Sequence, residues 1–165
     1  MISIGARLPA AEFKTIGANG VETITSASLF TGRRVMVIGV VGAFTPVCTG
    51  KHLPEFIPYQ QEVTQAGLVD EVVCISVADP FVQRAWGRSI GLEDGIRLLT
   101  DTNAAFAIAT GLDVDLSNLG LGRRSTRYVM VVDDGVVELL TVEVKPGDFE
   151  LTRADAVRAL LGKAS

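Results

Sequence analysis

The stretch VGAFTPVC, residues 41–48, lies between an apolar run and a segment with helical character. Thr45 and Pro46 form a helix start, because threonine is a favoured N-cap and proline fits the first helical position. Cys48 then falls in the first turn, where backbone N–H groups point outward and the helix dipole favours a negatively charged sulfur. The Thr45 hydroxyl, three residues earlier, is close enough to hydrogen-bond that sulfur or a group bound to it. Since cysteine reacts as the thiolate, Cys48 is the candidate nucleophile.

A second interpretation of Cys48 stays open on this local pattern. Free cysteine is among the most buried residue types and often only fills space in a core. The other cysteine, Cys74, fits that interpretation well because it lies inside the apolar run VVCISV at 72–77. Buried structural cysteines are inert, so we predict a structural role for Cys74.

Apolar runs, hairpin signals and helical patterns alternate along the rest of the chain. The continuous apolar runs at 35–40 and 72–77 are typical of strands buried on both faces. The turns at Asn19-Gly20 and 133–135 each join two alternating segments, which predicts two hairpins. A short strand is predicted at 96–99. Helices are predicted at 26–30, 45–66 (with Pro54 and Pro58 as kinks or breaks), 80–90, 103–110 and 152–161.

The order of these elements predicts an α/β fold, with a mixed central sheet flanked by helices. The last helix is amphipathic, and we expect Thr152 to cap it and Ala156, Leu160 and Leu161 to face inward. At 165 residues the chain has the length of one domain, which we place at residues 1–165.

Composition and charge exclude several classes of partner. Hydrophobic residues at 48% and charged residues at 21% are ordinary globular values. A net charge of -4 and a pI near 5.0 give no electrostatic footprint for nucleic acid. No apolar run approaches the ~20 residues that span a bilayer, and the first residues lack the pattern of a signal peptide. We expect a cytoplasmic protein with no nucleic-acid or membrane partner.

Cysteine and histidine are too few for the common cysteine-based sites. Cys48 and Cys74 do not form a secreted disulfide framework, and they are too far apart for a Cys-x-x-Cys redox motif. His52 is the single histidine, so no Cys/His cluster can hold structural zinc. We predict no metal and no other cofactor.

Three blocks of the sequence resemble the peroxiredoxins. The first, VGAFTPVCTGKHLPEF at 41–56, is similar to the signature of their peroxidatic cysteine, in particular that of human peroxiredoxin-5 and the plant type II peroxiredoxins. The second, VVCISVADPFVQRAWG at 72–87, resembles the strand and helix that follow in that subfamily. The third, RRSTRYVMVV at 123–132, resembles the strand that carries the family's active-site arginine. The blocks keep the family's order and separations.

This resemblance implies a thioredoxin-like fold and a thiol peroxidase that reduces H2O2 and alkyl hydroperoxides in antioxidant defence. It implies that Cys48 attacks the peroxide, that Thr45 holds it, and that Arg127 stabilises the thiolate and the leaving oxygen. It also implies a homodimer. Such a site needs no metal, haem or flavin.

The resemblance also bears on how the oxidised cysteine is reduced. The human subfamily member has a resolving cysteine in the region aligned with residues 150–153, where this chain has none. Because Cys74 is predicted to be buried, we expect a 1-Cys-type cycle. An external thiol, from glutathione, glutaredoxin or thioredoxin, would then reduce the oxidised Cys48.

Several residues have a second interpretation. His52, four residues after Cys48, fits either a Cys–His dyad or a structural hydrogen bond, and we favour the structural role. Arg123 and Arg124 have the pattern of ordinary edge arginines. Val41 stands where peroxiredoxins normally have proline, and it is the one hint of the alternative, a peroxide-sensing or binding protein with weak turnover. A thiol–disulfide oxidoreductase is a further rival, which the missing Cys-x-x-Cys motif argues against.

Overall fold

The computed structural model describes residues 1–92 and 94–162, so residues 93 and 163–165 of the predicted domain lie outside the described residues. The strands are β1 Glu12–Gly17, β2 Gly20–Thr25, β3 Arg34–Val40, β4 Glu71–Ser76, β5 Ile96–Thr100, β6 Asp113–Asp115, β7 Arg123–Ser125, β8 Tyr128–Asp133 and β9 Val136–Val142. The helices are α1 Ser26–Phe30, α2 Leu53–Gln65, α3 Pro80–Ser89, α4 Ala105–Thr110 and α5 Ala154–Leu161.

Within the described residues, seven strands form one mixed sheet in the order β2-β1-β5-β4-β3-β8-β9, and β6 pairs with β7 apart from it. The interior strand β3 is parallel to β4 and antiparallel to β8. Met36 and Ile38 enter one hydrophobic cluster, whereas Val35 and Val37 enter another. Because successive side chains of a strand point to opposite faces, β3 is buried on both, as predicted.

Helices cover both faces of this sheet. On one face, the cluster of Met36 includes residues of α2, Trp86 of α3 and Val157 of α5. On the other face, Phe30 of α1 and Phe106 of α4 join the second cluster. The predicted α/β architecture is therefore confirmed. None of the helices in the described ranges combines the length and the apolar character needed to cross a membrane.

Both predicted hairpins are present. In β1–β2, Gly17 pairs with Gly20, whose φ of 107° lies in the region that favours glycine. In β8–β9, Asp134 and Gly135 have φ values of 44° and 78°. Positive φ at both central residues matches the right-handed twist of the flanking strands, which explains the Asp-Gly pair.

The start of the last helix differs from the prediction. Thr152 does not cap α5, because both its backbone N–H and its hydroxyl donate to the Oε1 atom of Glu143. Arg153 occupies the N-cap position instead. The inward face is formed by Val157 and Leu161, whereas Leu160 is 40% exposed.

Candidate active site

Cys48 lies in the helical segment that follows the carboxyl end of the interior strand β3. The backbone becomes helical at Pro46, as the sequence predicts. The segment Cys48–His52 is a π-helical turn, in which the N–H of Leu53 donates to the carbonyl of Cys48. Pro54 follows at once and has no N–H for the next helical bond, which fits a change of hydrogen-bond pattern here. Such π-helical turns are frequent at functional sites.

The predicted break of this helix is only partly correct. After the π-helical turn, α2 runs on through Pro58 to Gln65. The π-helical turn therefore carries Cys48, and the turns of α2 that follow it pack into the core. The Cys48 side chain is fully buried, so its reactivity depends on the groups packed around the sulfur.

Arg127 is the charged group nearest to that sulfur. Its Nη1 atom donates to the Sγ of Cys48 at 3.2 Å, and the side chain is only 1% exposed. Arg127 directly precedes β8, which pairs with β3, and this pairing brings the arginine close to the cysteine that follows β3. The structure thus joins two residues that are 79 positions apart in sequence.

The rest of the guanidinium is held by backbone oxygen atoms. Its Nε donates to the carbonyl of Asp148 and its Nη2 to the carbonyl of Pro146, each at 3.1 Å. Among the described residues, no carboxylate lies within 4.0 Å of Arg127. The Sγ of Cys48 therefore accepts a hydrogen bond from a buried, permanently charged guanidinium that forms no ion pair with a carboxylate in the described ranges.

His52 contacts this arginine and not the cysteine. Its Nδ1 lies 3.1 Å from Nη1 of Arg127 and accepts a hydrogen bond from it. Burial, and then the charge of Arg127, lower the pKa of His52 to about 3, and the nearby backbone of Thr152 opposes that shift. The imidazole is therefore neutral near pH 7. This geometry fits a positioning role, and the helical spacing alone did not reveal the contact with Arg127.

Thr45 lies at the start of the helix, three residues before Cys48. Its carbonyl accepts from the N–H of Thr49 at 3.0 Å, which places it where an N-cap belongs. Its hydroxyl donates to the carbonyl of Gly42 at 2.8 Å instead of bonding to the cysteine. The hydroxyl oxygen keeps lone pairs that can accept a hydrogen bond from a bound peroxide.

Cys74 lies within β4 and is completely buried. Burial raises the pKa of its thiol well above the ordinary value, and the charge of Cys48 raises it further. Both cysteines are free. A thiol held in its protonated form is a poor nucleophile. The surroundings of Cys74 are therefore those of a structural cysteine.

Arg124 is not the ordinary edge arginine that its sequence context indicated. Its Nε donates to the carbonyl of Leu121 and its Nη1 to the carbonyl of Val77. A Cβ atom placed on Gly42 would lie 3.0 Å from that Nη1. Arg124 therefore joins three loops and packs against the loop that leads to Cys48.

A second helix reaches the site through Trp86. The indole Nε1 donates to the hydroxyl of Thr49 at 3.0 Å, and the Trp86 side chain is fully buried. Because Thr49 directly follows Cys48, this bond ties α3 to the π-helical turn.

No group of three or more metal-ligating side chains comes together in residues 1–92 and 94–162.

A buried cysteine facing an unpaired arginine in a thioredoxin-like sheet defines a thiol-based oxidoreductase. Comparisons with known proteins narrow the class. The model of the Redoxin family matches residues 3–160. Peroxiredoxin-2E-2 of Oryza sativa is 43% identical over 159 residues, which cover 93% of this chain and 70% of the relative. Peroxiredoxin-2B of Arabidopsis thaliana is 36% identical, and the match covers 94% of this chain and 96% of the relative.

A solved structure of a peroxiredoxin is also similar to this chain. Reduced Prx3 of Vibrio vulnificus, in complex with H2O2, is 38% identical with a TM-score of 0.91, and the match covers 98% of this chain and 99% of that one. The chain therefore belongs to the redoxin family, within the peroxiredoxins of the type II group. It is a thiol peroxidase.

Proposed function

We propose that the Cys48 thiolate is the group that reduces hydroperoxides, with Thr45 and Arg127 as its catalytic partners. The observation that carries this proposal is the 3.2 Å contact between Nη1 of Arg127 and Sγ of Cys48 in a buried site. A cation in a water-poor environment interacts with a developing negative charge much more strongly than in solvent.

In the first step, the thiolate attacks one oxygen of the peroxide and the O–O bond breaks. The sulfur is oxidised to a sulfenic acid, and the other oxygen leaves as an alkoxide or hydroxide that takes up a proton. Arg127 stabilises the charge as it moves from the sulfur to the leaving oxygen. The hydroxyl of Thr45 and the backbone N–H of Cys48, which lies in the first helical turn, hold the peroxide.

In the second step, an external thiol condenses with the sulfenic acid, so that water leaves and a mixed disulfide forms on Cys48. A second thiol then releases the reduced enzyme. The reductant is glutathione, glutaredoxin or thioredoxin. Support comes from the cysteine content, because Cys74 is the chain's only other cysteine and is held within β4.

Assembly and location complete the proposal. We place the protein in the cytoplasm as part of antioxidant defence, since both of its cysteines are free, as expected in a reducing compartment. We also propose a homodimer, as the family resemblance implies. Phe44 and Phe81 have exposed side chains, 55% and 60% accessible, and are candidates for contact with the partner.

Rapid mixing with H2O2 tests the assignment of the cysteines. Reduced protein is followed by thiol loss and by the fluorescence of Trp86, whose indole is bonded next to Cys48. Cys48→Ser should abolish peroxide consumption, whereas Cys74→Ser should keep most of it. Loss of turnover in a folded Cys74→Ser protein would contradict a cycle that uses Cys48 alone.

Intact-mass measurement tests the second step. After one equivalent of peroxide with glutathione present, a single glutathione adduct should map to Cys48. Excess peroxide without a thiol should produce the sulfinic acid, since no internal partner traps the intermediate. A stoichiometric disulfide between Cys48 and Cys74 would overturn the external-thiol cycle.

A further inference from the structure

The segment 143–152, which we call the strap, connects β9 to α5. The buried carboxylate of Glu143, its first residue, is hydrogen-bonded to residues at its other end. Glu143 is 5% exposed. Its Oε1 accepts three hydrogen bonds, from the N–H of Glu150 at 2.9 Å and from the N–H and hydroxyl of Thr152 at 2.8 and 2.9 Å. These bonds compensate the desolvation of the carboxylate. They also join the two ends of the strap.

The strap surrounds the Arg127 side chain. At its first residue, the N–H of Glu143 donates to the carbonyl of Arg127 at 2.9 Å. Farther along, the carbonyls of Pro146 and Asp148 accept from Nη2 and Nε of the guanidinium. These two carbonyls fix the plane of the guanidinium and thereby the direction of Nη1 toward Cys48.

The strap also packs against the second partner of Arg127. The ring of Phe149 lies edge-on to the ring of His52, with 5.5 Å between the ring centroids. One closed segment therefore supports both the arginine and the imidazole that accepts from it. Glu143 itself forms no ion pair with Arg127 within 4.0 Å. It can thus hold the arginine in place without neutralising its charge by direct pairing.

We infer that Glu143 is a positioning residue for the peroxidase reaction, acting through the strap on Arg127. Without its carboxylate, the N–H groups of Glu150 and Thr152 lose their acceptor and the strap opens. The carbonyls of Pro146 and Asp148 then move, and Nη1 is no longer held at the sulfur. This inference rests on the proposed function of Cys48 and Arg127, and it adds a group that does not touch the reacting atoms.

The test compares Glu143→Ala and Glu143→Gln with Glu138→Ala, which removes an exposed carboxylate from the same part of the chain. In rapid mixing with H2O2, Glu143→Ala should oxidise at Cys48 about tenfold more slowly or worse, and no more slowly than Arg127→Ala. Glu143→Gln should recover most of the rate, because its amide oxygen still accepts. Glu138→Ala should match the wild type.

A double-mutant cycle separates positioning from a general loss of stability. Because Glu143 acts through Arg127, adding Glu143→Ala to Arg127→Ala should not slow the reaction further. If the two effects multiply, or if Glu143→Ala reacts at the wild-type rate while hydrogen exchange shows the strap open, the inference is wrong. Should Glu143→Ala fail to fold, Thr152→Val removes one donor to the same oxygen. It should slow oxidation in the wild-type background and leave the Arg127→Ala rate unchanged.

The failure of this inference is distinguishable from the failure of the proposed function. If the wild type itself did not react with peroxide, the proposed function would be wrong, and alkylation of Cys48 by iodoacetamide would still test the strap. Slower alkylation in Glu143→Ala than in Glu138→Ala would then support the positioning role. Equal alkylation rates would refute it.

Discussion

The guanidinium of Arg127 donates hydrogen bonds both to backbone carbonyls and to the side chains of the candidate active site. Nε and Nη2 bond to backbone carbonyls, whereas Nη1 is shared by Sγ of Cys48 and Nδ1 of His52. Lysine presents a compact charge on a flexible stem and cannot keep this divided geometry. The planar fork of arginine fits a position where three nitrogen atoms donate to different acceptors.

Replacing Arg127 tests the electrostatic part of the mechanism. Arg127→Ala should slow peroxide reduction roughly a hundredfold, which corresponds to ~3 kcal/mol of lost transition-state stabilisation. Arg127→Lys should recover only part of the rate. Rapid-mixing kinetics with H2O2 provide the second-order rate constant for each variant.

The control for this experiment is Arg84→Ala, which removes an exposed arginine of α3. Arg124 is not a suitable control, because it supports the loop that contains Gly42. An unchanged rate constant in a folded Arg127→Ala protein would exclude a catalytic role for Arg127.

His52 makes stability depend on pH. Its pKa is about 3 in the folded protein and 6.5 when unperturbed, so between these values the unfolded chain binds a proton that the folded protein does not. The free energy of unfolding therefore falls as the pH drops below 6.5. From this group, we expect a loss of about 2 kcal/mol between pH 7 and pH 5.

Urea unfolding of the wild type and of His52→Gln at both pH values measures this effect. Glutamine does not titrate, so the variant should lose correspondingly less stability between pH 7 and pH 5. The difference between the two proteins isolates His52 from the acidic groups. Equal losses in both would show that the histidine is not protected from protonation in the folded state.

Among the secondary-structure elements, those with local signals are the ones that the sequence predicts correctly. The apolar runs of β3 and β4 and the Asp-Gly turn of β8–β9 carry their pattern within a few residues. By contrast, β6 is only Asp113–Asp115, too short for a periodic pattern, and its pairing with β7 was not predicted. Thr152 is a residue type that often caps helices, but here its hydroxyl donates to the carboxylate of Glu143, nine positions earlier.

The loop after β3 holds the residue that departs from the family pattern. Val41 is 5% exposed and packs in the same cluster as Cys48. Proline would keep this apolar wall and would restrict φ, which lowers the entropy of the unfolded chain. Val41→Pro should therefore leave the peroxide rate within about threefold of the wild type, less than 1 kcal/mol of barrier.

Kinetics and thermal unfolding of Val41→Pro measure both sides of this prediction, with Val40→Ala in β3 as a packing control. A large gain in rate from a nearly silent wild type would instead support the sensor alternative. Marked slowing in a folded variant would mean that this loop has a different backbone from the one that proline requires.

Across the whole molecule, the site is assembled from distant parts of the chain. The loop and helix of Cys48, the start of β8, the strap and α3 all contribute. The position of Cys48 followed from local helix signals, whereas Arg127 followed only from the family resemblance. Their roles in catalysis remain predictions. The strap had no signal in the sequence, because its contacts depend on tertiary packing between segments without a motif.

The unpaired charge of Arg127 has a consequence for thermal stability. In the proposed cycle, the Cys48 thiolate of the reduced protein compensates this buried cation, whereas in the mixed disulfide the sulfur is neutral. A buried charge that loses its partner is costly. We expect capping of Cys48 as a methyl disulfide, in a Cys74→Ser background, to lower the melting temperature by about 5 °C. In Arg127→Ala the same cap should cost much less, and an equal cost in both would indicate a steric effect.

Each catalytic cycle would then pass through a less heat-resistant form of the enzyme. Under a heavy peroxide load with little reductant, molecules accumulate in that form and unfold more readily. The melting temperature of a sample would therefore report the fraction of enzyme held as the mixed disulfide. It would be lowest when thiol is supplied more slowly than peroxide.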